Sequence, residues 1–102
     1  MISEEITKKY GREYLLRQLS EECGELVQSS LKLIRVWKKE TPVTEEKARE
    51  KLVEEMADVL LMLRYVRDEV LTSAESLKIT DIMNDKAVRM YRRMILGEAD
   101  AQ

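Results

Sequence analysis

Apolar residues recur along this chain at intervals of three and four, with charged residues between them, from the second residue almost to the last. That spacing is the period of an amphipathic helix. Ile2 to Tyr10 predicts a short leading helix, with Gly11 as its break or as the residue beyond its cap. From Arg12 to about Lys39 the stripe Leu15, Leu16, Leu19, Cys23, Leu26, Ser30, Ile34 and Trp37 predicts a long helix with that face inward. The clear loop is Glu40-Thr41-Pro42-Val43-Thr44, where Thr44 suits an N-cap and Glu45 and Glu46 suit the positive end of the next helix dipole. That next helix, Glu45 to about Leu71, is the most apolar part of the chain. Leu52, Met56, Val59, Leu63, Val66 and Val70 form one stripe, Val53, Leu60 and Leu71 another, and Leu61 and Met62 widen the coverage. A polar connection is expected over Ser73 to Ser76, then a last helix from about Leu77 to Leu96 with Ile79, Ile82, Met83, Met90 and Met94 inside. Gly97 to Gln102 is expected to fray.

The short loop makes the two long helices antiparallel neighbours, so the fold class is an all-α antiparallel helical bundle with two long central helices. A helix apolar on so much of its circumference needs neighbours on several sides. One short chain supplies too few, which predicts completion by a homodimer or a dimer of dimers. Composition agrees: 102 residues suit one domain, and Gly 3 with Pro 1 leaves few places for the turns of a strand-rich fold.

Charge narrows the chemistry. Eighteen basic and 20 acidic side chains give a net charge of −2, which offers no general attraction to nucleic acid. The longest apolar run, Val59 to Leu63, is far short of a membrane span, and Met1 to Tyr10 is already half charged or polar, so neither a membrane anchor nor a signal peptide is expected. The single Cys23 cannot pair within the chain, making a reducing cytoplasm the expected compartment. Histidine is absent. That excludes hydrolytic mechanisms built on an imidazole base and the Glu-x-x-His ligands of ferritin-like di-iron bundles.

Two acidic clusters remain, Glu21-Glu22-Cys23-Gly24-Glu25 and Glu54-Glu55-Met56-Ala57-Asp58, one on each long helix. Members three or four apart share a helix face. Most such pairs in so charged a chain are solvated surface, but phase argues otherwise here. Glu55 lies four residues before Val59, Asp58 four before Met62 and Glu22 four before Leu26, so these carboxylates continue apolar stripes. Carboxylates at a helix–helix interface repel and desolvate unless something positive compensates. With oxygen ligands only, a hard divalent cation is the natural partner, and Mg²⁺ also bridges substrate phosphates.

Glu-Glu-x-x-Glu followed by Glu-x-x-Asp on the neighbouring helix resembles the signature of the MazG-like all-α nucleoside triphosphate pyrophosphohydrolases. It lies here at Glu21, Glu22 and Glu25, then Glu55 and Asp58, within the wider strings Leu19 to Leu26 and Glu54 to Leu60 and after Lys9-Tyr10-Gly11. The resemblance extends from about residue 8 to 93. It implies that Glu22, Glu25, Glu55 and Asp58 bind Mg²⁺, with Mn²⁺ as a substitute, and that Glu21 is a further ligand or orients the attacking water. It implies hydrolysis of a nucleoside triphosphate to monophosphate and pyrophosphate, in nucleotide-pool sanitation or control. In the last helix it assigns Lys86 and Arg89 to the phosphates; the bland alternative is a basic end complementing its own dipole. Phosphoribosyl-ATP pyrophosphohydrolase shares the acidic signature and is an alternative activity. A non-catalytic helical assembly protein with an acidic stripe for a basic partner is the alternative of another class.

Three further residues invite two readings each. Trp37 could stack a base, but its phase favours core or dimer contact. Cys23 reads as a buried structural thiol, since nearby carboxylates suppress a thiolate. Gly24 inside a helix suggests a close helix approach.

Overall fold

The computed structural model describes residues 1–98 and consists of four helices. These are α1 (Ile2–Tyr10), α2 (Arg12–Trp37), α3 (Glu45–Glu69) and α4 (Ser73–Met94), with no strand among the described residues. The chain divides into two compact units, Met1–Val70 and the segment from Leu71 onward. In the first, α2 and α3 form the principal packed pair and α1 packs on both. No described helix is long and apolar enough to cross a membrane.

Gly11 separates α1 from α2 with φ 89° and ψ 165°, a backbone that side chains disfavour, and its N–H donates to Thr7 O at 2.8 Å. Tyr10 and Tyr14 stack across this break with ring centroids 4.8 Å apart. Ser3, buried in α1, donates its hydroxyl to Glu69 Oε2 at 2.9 Å, tying the leading helix to the end of α3.

Helix α2 ends at Trp37, two residues before the expected Lys39. The reason is a Schellman-type stop in which Lys39 takes φ 58°, Lys39 N–H donates to Val36 O at 3.0 Å and Glu40 N–H to Arg35 O at 2.9 Å. Thr44 is the N-cap of α3, its hydroxyl accepting from Lys47 N–H at 3.3 Å.

The buried tracks run in a different phase from the expected stripes. On α2 they are Leu15, Ser29 and Leu33, with Leu19, Glu22 and Leu26 half-buried between them. On α3 they are Ala48, Glu55, Val59 and Val66, with Leu52 and Met62 half-buried. Both sets alternate steps of three and four, the seam of a two-stranded antiparallel coiled coil. Leu16, Ile34, Met56 and Leu63, expected inside, are exposed, and so are Cys23 and Trp37, the latter 56 % accessible. The cause is that α2 and α3 each carry two adjacent apolar tracks of the same period. Only one of the two can face its partner within the chain.

Helix α4 begins four residues earlier than expected, so Ser73 to Ser76 is its first turn and not a connection. Thr72 and Glu75 form a reciprocal capping box: Thr72 Oγ1 accepts from Glu75 N–H at 3.1 Å, and Thr72 N–H donates to Glu75 Oε1 at 2.9 Å. The helix ends at Met94, short of Leu96, and Gly97 follows at φ 72°. Of the tail expected to fray, Gly97 and Glu98 lie outside the helix, and residues 99–102 lie outside the described residues. No residue of α4 is buried. Ile82, Met83, Met90 and Met94, expected inside, are exposed, because helical spacing fixes the helix without fixing what its stripe packs on; Ile79 is half-buried.

Candidate metal centre

The antiparallel pairing of α2 and α3 brings the two acidic clusters to the same level halfway along the seam. Leu33 and Ala48 close the seam near the loop, and Leu15 and Val66 lie toward its other end. Between them, Glu22, Glu25, Glu55 and Asp58 each place one carboxylate oxygen within 4.8 Å of the others. These are the four positions that the Glu-x-x-Glu and Glu-x-x-Asp spacings put on facing surfaces.

Their environments differ. Glu55 is 2 % accessible and occupies a core position of α3, where an apolar side chain would otherwise complete the seam. Its Oε1 lies 2.9 Å from Lys51 Nζ, one turn earlier on the same helix, while its Oε2 is buried without a hydrogen-bond partner. Glu22 is half-buried, and its Oε2 is likewise buried and unpartnered. Asp58 is half-buried and Glu25 is exposed at the rim. A buried carboxylate oxygen with no donor is costly, and two of them in one acidic cluster mark a place short of positive charge.

Electrostatics reflect this crowding. Desolvation raises the Glu22 carboxyl above its ordinary value, and the charges of Glu25, Asp58 and Glu55 push the same way. Hydrogen bonding to Glu55 and the Glu55 charge, then burial, raise Glu25. The Lys51 hydrogen bond holds Glu55 below the usual carboxylate range against the opposing effect of its desolvation. Two acids in one cluster are thus shifted upward and a third downward, the division expected when carboxylates share a site.

Glu21 falls outside this convergence. It is exposed and accepts from Gln18 Nε2 at 3.4 Å. Lys86 and Arg89 line a groove on α4 together with Met90 and Arg93. Cys23 is exposed on the flank of α2, which corrects its reading as a buried thiol. Gly24 permits no close approach within the chain, because a Cβ built there meets nothing within 4 Å. Lys51 escaped the sequence reading: its only signal is a Lys-x-x-x-Glu spacing, which is common on any charged helix.

No family model matches this chain, and neither does any curated protein or solved structure.

The donor set suits a hard divalent cation. It consists of carboxylate oxygens alone, contributed by two packed helices, with the inner members held by the seam and the outer rim open to water and ligand. Soft or imidazole-preferring metals find no matching ligand in it.

Proposed function

We propose that this chain is a Mg²⁺-dependent nucleoside triphosphate pyrophosphohydrolase. The observation that carries the proposal is Glu55, a buried carboxylate with one unpartnered oxygen, set among Glu22, Glu25 and Asp58 from two helices. The motif resemblance supplies the reaction class. Glu22 and Glu25 hold the ion from α2, and Glu55 and Asp58 hold it from α3; Mn²⁺ substitutes. Glu55 fixes the position because the seam around it cannot yield, while exposed Glu25 adapts to the incoming phosphates. Mg²⁺ held by these four carboxylates would supply charge neutralisation for the triphosphate. The resemblance further assigns Glu21 to the metal or to the attacking water, and Lys86 and Arg89 to phosphate oxygens; for these three residues the motif alone supports the role. The bond between the α and β phosphates breaks, releasing monophosphate and pyrophosphate.

A screen for pyrophosphate release over canonical and modified triphosphates and phosphoribosyl-ATP, with Mg²⁺ or Mn²⁺, tests this reading. Activity on at least one substrate is expected, with Glu55→Gln and Asp58→Asn reducing it by about 100-fold or more. Activity confined to phosphoribosyl-ATP assigns the alternative enzyme. Uniform inactivity with metal present favours the assembly protein and removes the enzyme reading.

We also propose that the functional form is a homodimer or a dimer of dimers. Val53, Met56, Leu60 and Leu63 repeat the three-and-four spacing of the inner seam on the exposed side of α3, and Leu16, Val27 and Ile34 lie exposed on α2. A second coiled-coil track of this kind is what a second copy would cover. Light scattering should give a mass at least twice the 12.0 kDa of the chain, and Leu60→Lys should return it toward the monomer.

A further inference from the structure

The carboxylate cluster already has a cation at its edge. Lys51 stands one turn before Glu55 on α3, and its ammonium lies 2.9 Å from Glu55 Oε1. The two ends of this ion pair are unlike. The Glu55 carboxylate is 2 % accessible and locked in the seam, whereas the Lys51 side chain is 61 % accessible on a flexible four-carbon stem. Of the two, only Lys51 can leave without disturbing the core.

The pair also falls short of what the site needs. One ammonium faces four carboxylates and reaches one oxygen of Glu55, leaving Glu55 Oε2 and Glu22 Oε2 buried and unpartnered. A divalent ion offers more charge and more coordination positions at the same place. An ion that takes up Glu55 must share that carboxylate with the ammonium, and two cations on one carboxylate repel each other.

Resting on the metal reading above, we propose that Lys51 is a resident counter-cation: it holds Glu55 in ligand position in the metal-free protein and is displaced into solvent when a divalent ion binds. The site is then preformed without the ion, and metal affinity is set by the difference between the two cations on Glu55. Lys51 is a positioning residue in this scheme and never touches the substrate.

The test compares full-length wild type, Lys51→Met and Lys51→Arg. Calorimetric titration gives the Mn²⁺ affinity, thermal melting gives the metal-free stability, and the side-chain NMR resonances of Lys51 are followed with Mg²⁺. Lys51→Met, which keeps the apolar stem, should bind Mn²⁺ at least about tenfold more tightly, a change of about 1.4 kcal/mol. It should also melt several degrees lower without metal, because Glu55 loses its counter-charge. Lys51→Arg should stay near wild type in both, and the wild-type Lys51 signals should move to free-lysine positions as Mg²⁺ saturates. Wild type that binds no Mn²⁺ removes the metal reading and this proposal with it. Wild type that binds, with Lys51→Met equal or weaker and Lys51 signals unmoved by Mg²⁺, leaves the metal reading standing and overturns the counter-cation.

Discussion

The α2–α3 hairpin and helix α4 are written in similar residues and are held by different physics. Each is amphipathic, rich in charge and apolar at helical spacing. In the hairpin, Leu15, Leu33, Ala48, Val59 and Val66 are buried and the seam tolerates a carboxylate at its centre. In α4 nothing is buried, and the helix rests on its capping box, on Glu75 in its first turn and on Arg92 and Arg93 in its last. Apolar spacing therefore specifies helix in both regions but core in only one. The candidate site follows the same division: mutually repelling acids can be held together only where packing resists their separation.

Several measurements would break or sharpen this contrast. The largest effect should come from cavities. Leu33→Ala, at a position 5 % accessible, should destabilise the hairpin by about 2–5 kcal/mol in denaturant titration, whereas Ile82→Ala on α4 should cost under about 0.5 kcal/mol. Equal losses would mean that α4 is as much a part of a core as the hairpin is. Next comes the ion: Mg²⁺ well above its dissociation constant should raise the melting temperature by several degrees, and Asp58→Asn should abolish the gain. A solvated acidic face would hardly respond.

Capping effects should be smaller. Thr72→Ala should cost about 1 kcal/mol of α4 stability, visible as faster amide exchange in its first turn and not in α3. Gly24→Ala should stabilise α2 by about 0.5–1 kcal/mol, since the added Cβ meets open space within the chain.

The pH dependence without metal should be the gentlest effect. Glu22 and Glu25 are raised above the ordinary 4.5, so their contribution to stability is full below that value and is lost as pH climbs through their folded values. Glu55 and Glu75 are lowered, so theirs is present above 4.5 and is lost as pH falls through their folded values. Melting of the metal-free protein should therefore peak in the mildly acid range, not at neutrality. Glu22→Gln should flatten the limb above the peak, and saturating Mg²⁺ should move the optimum toward neutral pH by competing with protons. A metal-free curve that rises steadily to neutral pH would contradict the crowding of these acids.

Much of this molecule is local in origin. Sparse glycine and proline, helical spacing and the Glu40 to Thr44 loop determined an all-helical chain with two long neighbours, because backbone periodicity and capping act within a few residues. The same locality made Glu22, Glu25, Glu55 and Asp58 readable as candidates, since residues three and four apart share a face whatever surrounds them. The Thr72-x-x-Glu75 box is equally local, but a polar stretch has the composition of a connection, and only its reciprocal bonds mark it as a helix start. What only the tertiary structure decided was phase. Two apolar tracks one residue apart have the same period, so the pattern cannot choose between Glu55 inside with Met56 out and the reverse. Packing of α2 against α3 made that choice, and with it buried Glu55 beside Lys51, left Glu21 in solvent and turned two ordinary acidic stretches into one site.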